Sequence, residues 1–356
     1  MVAKPMATEE QIWQAFREQV IAGELLGSPF TSRLGKLMLA HLDRSTAVGK
    51  KILGWENDPT TRGDIVPTRL AGALHALIID GKDDDLKAAY PPNEVSDDVL
   101  WTAIRKAFET HETFILERLN FAPQTNEVRR SSALLSGFLT VADLLGKPLI
   151  LSEFGASMGL NLNWDRYRYD LGGFLWGDSA SPVQLKPDWE GSHPPRADIS
   201  VLDRAGCDLN PLDPHSPEDS LRLLSYLWAD QTDRVIRTRA ALDIARQHTA
   251  LVEKGDALAW LRDKRLKTLQ PGTVHVVFHS IAWQYLPPQL RELGESIIAE
   301  AGSRATAEAP LARLQMEMMG EPNSASLSLQ IWPTGETREL ARVDPHGRWV
   351  KWKGWS

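Results

Sequence analysis

The chain is short of cysteine, of long apolar runs and of excess positive charge. Its one cysteine, Cys207, leaves no partner for a disulfide within these 356 residues. That fits a reducing compartment. The longest apolar run near the front, residues 70–79, is about ten residues long, where a membrane span needs about 20. Residues 1–10 carry Lys4 but no apolar stretch of the kind a secretory leader needs. The expectation is a cytoplasmic protein with no membrane partner. The formal net charge of -7 argues against nucleic acid as a partner, because that binding draws on a cationic surface that releases counterions. Cys207, His193, Asp213 and His215 are too irregularly spaced for a zinc signature, so no metal is expected.

What is present is enough apolar material for a real core, 42% of residues, in a chain long enough for two structural units. The first 120 residues read as helices. Thr8 to Gln11 form a capping-box pattern, followed by Ile12, Phe16 and Val20 on one face. Pro67 opens a second helix with Leu70, Leu74, Leu77 and Ile78 inward, and Ser96 caps a third with Leu100, Ile104, Phe108, Ile115 and Leu119 inward. No strand is expected before residue 147. Residues 1–120 are therefore read as an all-helical cap domain, and 121–356 as a second domain.

In the second domain a helix is expected from about 127 to 145, with Gly146 as its C-cap. Short apolar runs then recur at 148–154, 201–209, 250–253, 273–278, 311–319, 327–332 and 338–343. Helical patterns fall between several of them, at 216–228, 232–246 and 288–301. That alternation predicts an α/β fold with a mostly parallel sheet of about seven strands. The last runs lack full helices between them, which predicts antiparallel pairing at one edge. Residues at about 170–200 are rich in Gly, Pro and Ser and read as an irregular insertion. Trp349, Trp352 and Trp355 in the tail read as indoles packed on the domain.

The strongest chemical signal is the run from Glu153 through Gly155, Ser157 and Gly159 to Asn161. It follows a strand and opens a helix. Gly155 and Gly159 allow a ligand close to the backbone, and the helix start offers free N–H groups to a carboxylate. The G-x-G-x-x-G spacing of a dinucleotide site is absent. An acid two residues before the first glycine suits a smaller ligand with an amine and a carboxylate, such as the methionine end of S-adenosylmethionine. Asp208 and Asn210, at the end of the next main strand, are placed to meet ribose hydroxyls. Asp256 follows a further strand, where an acid can meet the adenine amine. His279 and Tyr285 follow another and would face a methyl acceptor. His279 is equally readable as a hydrogen-bonded structural histidine. Asn126, Glu127, Arg130 and Asn161 are candidate substrate-binding residues beside the loop, with Asn126 also readable as the cap of its own helix.

The segments 124–131, 153–169, 208–213 and 278–280 resemble the bacterial family called domain of unknown function 2332, over nearly the whole chain. Residues 148–343 further resemble class I S-adenosylmethionine-dependent methyltransferases. That resemblance implies a Rossmann-like sheet, S-adenosylmethionine as cofactor and methyl transfer to a small-molecule acceptor. The sequence departs from the usual loop, which has a glycine where Ser157 stands, and the gap from Gly155 to Asp208 exceeds the usual span of about 20 residues.

Gly155-Ala156-Ser157-Met158-Gly159 also matches G-x-S-x-G, the nucleophile elbow of serine hydrolases. Ser157 would then be the nucleophile, Asp256 the acid and His279 or His346 the base, in the right chain order. Against this stand the helical upstream residues and the lack of an HGGG-type segment. A non-catalytic nucleoside-binding protein is the third reading.

Overall fold

The computed structural model describes residues 7–319 and 323–355. Residues 1–6, part of the stretch read as lacking a leader, lie outside the described residues. Two compact units divide the chain: residues 1–125 with 216–236, and residues 126–215 with 237–356. The division falls inside the helix Thr232–Gln247.

The first unit is helical. Helix Glu9–Leu25 starts on the expected capping box: Gln11 N–H donates to Thr8 Oγ1 at 3.2 Å and Thr8 N–H to Gln11 Oε1 at 2.8 Å. Ile12 and Phe16 are buried as the periodicity requires. Helix Val66–Ile79 has Pro67 in its first turn, and Ser96 caps helix Asp97–Thr110. The apolar face expected to run in one helix from Leu100 to Leu119 is split. His111 leaves the helical region at φ -118°, ψ 28°, and a second helix, Glu112–Leu119, packs on Val66–Ile79. Its ring Nε2 lies 3.3 Å from Asp83. Helix Pro217–Ser225 belongs to this unit through contacts that sequence periodicity does not reveal. Arg118 Nη2 lies 2.7 Å from Glu218 Oε1, and His75 Nδ1 lies 3.0 Å from the Leu227 carbonyl.

The second unit is mixed α/β, built on twelve strands: β1 Leu149–Phe154, β2 Arg168–Leu171, β3 Phe174–Trp176, β4 Gln184–Leu185, β5 Asp188–Glu190, β6 Val201–Asp208, β7 Leu251–Lys254, β8 Val274–Ser280, β9 Leu311–Met318, β10 Ala325–Trp332, β11 Glu336–Val343 and β12 Trp349–Trp352. Nine of them form one sheet in the order β5-β12-β11-β10-β9-β8-β1-β6-β7. The five strands from β9 to β7 run parallel. β9, β10, β11 and β12 pair antiparallel, as the missing helices predict. The sheet exceeds the expected seven strands because β12 and β5 extend that edge. Both are three or four residues long, too short to show a period-2 pattern. The insertion is also more regular than expected, since β3, β2 and β4 form a small sheet of their own. In the tail, Trp352 is buried with its ring 5.9 Å from that of Trp189.

The chain first lays strands on one side of β1 (β6, then β7) and then returns to the other side with β8 and β9. The winding direction therefore reverses between β1 and β8, the point at which open α/β sheets bind their ligands. β1 is buried along its whole length because helices cover both faces. On one face lies helix Ser131–Leu145, whose Phe138 stacks on Trp164 at 4.4 Å and meets Phe278 edge-on at 5.2 Å. On the other, helix Pro288–Ser303 packs Ile297 and Ile298 with Phe154, Val277 and Trp283. Phe138 joins helix, sheet and the segment after β1 through two ring contacts. Phe138→Ala should therefore lower unfolding stability by about 3–5 kcal/mol, read as a lower denaturant midpoint at unchanged slope.

Candidate functional site

The loop after β1 follows from two left-handed glycines. Gly155 has φ 69° and Gly159 φ 73°, a backbone region that costs glycine little. Between them Ser157 is also left-handed, at φ 54°, an uncommon state for a side chain with a Cβ. The loop is tied to the end of β6. Gly155 N–H donates to the Cys207 carbonyl at 2.9 Å, Ser157 N–H to Asp208 Oδ2 at 2.9 Å, and Leu212 N–H to the Ser157 carbonyl at 3.2 Å. Asp208 Oδ1 accepts from Asn210 N–H at 2.9 Å. Each Asp208 oxygen thus has one loop amide and keeps further acceptor capacity.

Glu153 stands at the carboxyl end of β1, in register with Phe278 on β8. It is 2% exposed, and its Oε2 has no hydrogen-bond partner. Burial raises its pKa well above the usual carboxylate range, the negative charge of Asp208 adds to that, and Arg130 opposes it. The Ser157 hydroxyl is likewise buried and unpartnered. So are Asn163 Oδ1 and Trp164 Nε1 in the segment that follows. Buried polar atoms are nearly always bonded to protein, water or ligand, and four of those without a protein partner lie between Glu153 and Trp164.

The other expected residues fall into distinct groups. Asn161 is bonded inside the fold: its Oδ1 accepts from Ser131 Oγ at 2.8 Å. Asn126 does not cap its own helix. Its Oδ1 instead accepts from Leu160 N–H at 2.8 Å, at the start of the 3-10 helix Leu160–Arg166. Glu127 fills the local cap, accepting from Arg129 N–H at 3.0 Å. Arg130 donates to the Ser280 carbonyl at 3.0 Å and the Pro345 carbonyl at 2.9 Å. Asp256 caps helix Ala257–Trp260, accepting from Leu258 and Ala259 N–H at 2.8 and 3.0 Å. His346 lies between β11 and β12.

His279 and Tyr285 do not share the placement expected of groups facing an acceptor. Tyr285 is 68% exposed, while His279 is fully buried. Side chains alternate along a strand, so His279 and Phe278 occupy opposite faces, and Glu153 goes with Phe278. The His279 ring lies near Phe154 and stacks on Trp283 at 4.9 Å. Its Nδ1 donates to Glu317 Oε1 at 2.7 Å, and Arg313 lies 3.3–3.4 Å from its Nε2. Burial lowers its pKa, against the pull of Glu317. Glu317 stays below the usual carboxylate range despite its burial, because His279 and two backbone N–H groups donate to it. A neutral imidazole between a carboxylate and a guanidinium satisfies all three.

Arg313 and Glu317 carry this network, and sequence reasoning passed over them. Their signal was present: Arg313, Gln315 and Glu317 alternate on one face of an otherwise apolar strand. Cys207 is not reactive in this setting, since burial and then Glu253, Asp208 and Asp256 raise its pKa to about 11. Among the described residues, no group of three or more His, Cys, Asp or Glu is placed to hold a metal ion. Nor is any helix among them long and apolar enough to cross a membrane. A cleft of about 460 Å³ lies in the helical unit, where Arg118 lies over Phe114 and pairs with Glu218.

The model of a family described as an uncharacterized protein conserved in bacteria (DUF2332) matches residues 13–352. The chain belongs to that family. No curated protein matches the chain. The matched residues include parts of both units.

The raised pKa of Glu153 has a consequence for stability. Between the ordinary carboxylate pKa and the folded value, the folded state holds a proton that the unfolded state has lost. Stability therefore falls as pH climbs through that window. Glu153→Gln removes the term while keeping the shape. Its melting temperature should gain on that of the native protein as pH rises from the ordinary carboxylate range towards neutrality and above. Thermal melts across that range check it; a constant difference would contradict a buried proton on Glu153.

Proposed function

We propose that this protein is an S-adenosylmethionine-dependent methyltransferase acting on a small molecule, with a Rossmann-like core formed by β7, β6, β1, β8 and β9. The observation that carries the reading is Glu153. It is a buried carboxyl with an unpartnered oxygen, placed where the strand order reverses and followed by a turn with left-handed glycines. The parallel strands, taken in chain order, stand 3-2-1-4-5 across the sheet, the arrangement of doubly wound nucleotide-binding folds.

The donor set fits this cofactor. Glu153, Asp208 and Asp256 follow one another at the ends of β1, β6 and β7. Asp208 and Asp256 disfavour a pyrophosphate, and together with the Glu153 carboxyl they favour a ligand bearing an amine, a positive sulfur and hydroxyls. Glu153 would take the amine, and Gly155, Ser157 and Gly159 would let the methionine part approach the backbone. Asp208 and Asn210 would meet the ribose through lone pairs their own amide contacts leave over. Asp256 would meet the adenine amine beside its helix cap. When bound, S-adenosylmethionine supplies an electrophilic methyl group. The turn after β8 would bound the acceptor side. With the His279 ring enclosed, the chain's contribution is alignment of the acceptor, which alone removes much of such a barrier.

Ser157 supports a second reading. A left-handed serine with a buried, unpartnered hydroxyl after a strand is what a hydrolase elbow offers. Against it, two of the three expected partners are engaged elsewhere, His279 with Glu317 and Arg313 and Asp256 with its helix, and the third, His346, lies in the turn between β11 and β12.

The test is a thermal-shift titration with S-adenosylmethionine and S-adenosylhomocysteine, with NADH and ATP as controls. At 100 times its dissociation constant a ligand stabilises by about 2.7 kcal/mol. The two adenosyl-sulfur ligands alone should raise the midpoint, and Gly155→Val and Asp208→Ala should abolish the rise. No rise in the native protein would overturn the methyltransferase. Labelling of Ser157 by a fluorophosphonate would then favour the hydrolase. A rise without methyl transfer to any acceptor would favour a nucleoside-binding protein.

A further inference from the structure

The turn that follows β8 is held from two sides by groups that are not part of the loop after β1. Ile281 is left-handed, at φ 51°, a conformation that a β-branched residue adopts only when its surroundings impose it. Arg130 holds the Ser280 carbonyl at 3.0 Å. Glu317, buried at the end of β9, accepts from Ala282 N–H at 2.9 Å and Trp283 N–H at 3.0 Å through the Oε1 that also accepts from His279. The Trp283 ring lies beside His279 at 4.9 Å and under the Arg313 guanidinium at 4.4 Å. Arg313 is fixed in turn by Glu295 at 2.5 Å.

The turn so held meets the loop after β1. A Cβ built on Gly155 would stand 2.9 Å from the Ala282 Cβ. Two of the four left-handed residues with side chains among the described residues, Ser157 and Ile281, thus flank the point where the winding direction reverses. One belongs to the loop of the candidate ligand site and the other to its facing wall.

We propose that Glu317 is a positioning residue for this site. By fixing the Ile281–Trp283 turn, it sets how closely Ala282 presses on Gly155, and so the width of the entrance to the loop 155–159. The inference rests on assigning ligand binding to that loop. None of Glu317's hydrogen bonds goes to the loop itself, which separates positioning from direct contact. Glu317→Gln keeps an acceptor oxygen for the turn, whereas Glu317→Ala removes it.

Hydrogen–deuterium exchange on the full chain tests this without any ligand. In Glu317→Ala, exchange should quicken about tenfold or more at 281–283 and also at 155–159, while Glu317→Gln should retain most of the protection. Faster exchange at 281–283 with 155–159 unchanged would overturn the proposal. A second arm uses S-adenosylhomocysteine as probe in a double-mutant cycle of Glu317→Ala with Ala282→Gly. If Glu317 acts through Ala282, the affinity losses are non-additive by about threefold or more; additive losses would overturn it. Should S-adenosylhomocysteine fail to bind the native protein, the cofactor reading falls, and the exchange experiment still decides the role of Glu317. If Glu317→Ala does not fold, Ala282→Gly carries the exchange arm: it should quicken exchange at 155–159, and unchanged exchange there would overturn the proposal.

Discussion

A carboxyl group taken out of water must be neutralised, paired or matched by something that binds to it. Glu153 is enclosed at the end of the central strand with one oxygen unpartnered and a second acid, Asp208, acting on it. Much of the surrounding geometry follows from holding it there. Two flanking strands bury β1. Left-handed glycines turn the chain directly beyond it. Asp208 ties that turn to the neighbouring strand end through Oδ2, while its Oδ1 holds its own following residue Asn210. A sequence that only needed to fold would gain stability by placing an apolar residue or an amide at this position. Under the function proposed above, the acid is a stability–function trade.

The second organising feature is a division of labour between the faces of the sheet. Strand alternation puts Glu153 and Phe278 on the face covered by Ser131–Leu145, and His279 on the face covered by Pro288–Ser303. The His279–Glu317–Arg313 network is therefore structural in reach: it shapes the turn after β8 from beneath. Every member has a complementary partner, which is what a buried polar network needs if it is to stabilise rather than destabilise. The one exception is Glu317 Oε2, which has none.

Much of this was legible in the sequence, for reasons that also set the limit. Helix Glu9–Leu25 announced itself through its capping box, and β1, β6, β8 and β9 through apolar runs bounded by turns. The antiparallel edge followed from the missing helices. The loop 153–159 stood out because two glycines four apart after a strand are a local pattern. What escaped were contacts that local patterns do not encode. His111 breaks an apolar face whose periodicity continues across it. β5 and β12 are too short for alternation to register, and they pair across about 160 residues. Asn126 reads as a cap, which it is, but for a helix more than thirty residues away. The placement of His279 could have been drawn from its parity with Phe278, and the importance of Arg313 and Glu317 from three polar residues alternating along a buried strand.

The claim at the centre of this account is that Glu153 is protonated in the free protein and gives up its proton to receive a ligand's amine. The most direct measurement is calorimetric titration with S-adenosylhomocysteine near pH 6 in two buffers of different ionisation enthalpy. That comparison reads the number of protons exchanged on binding. Net release of protons on binding is the expected result, with that release lost in Glu153→Gln. Binding with no proton exchanged, or with the same exchange in the variant, would contradict it.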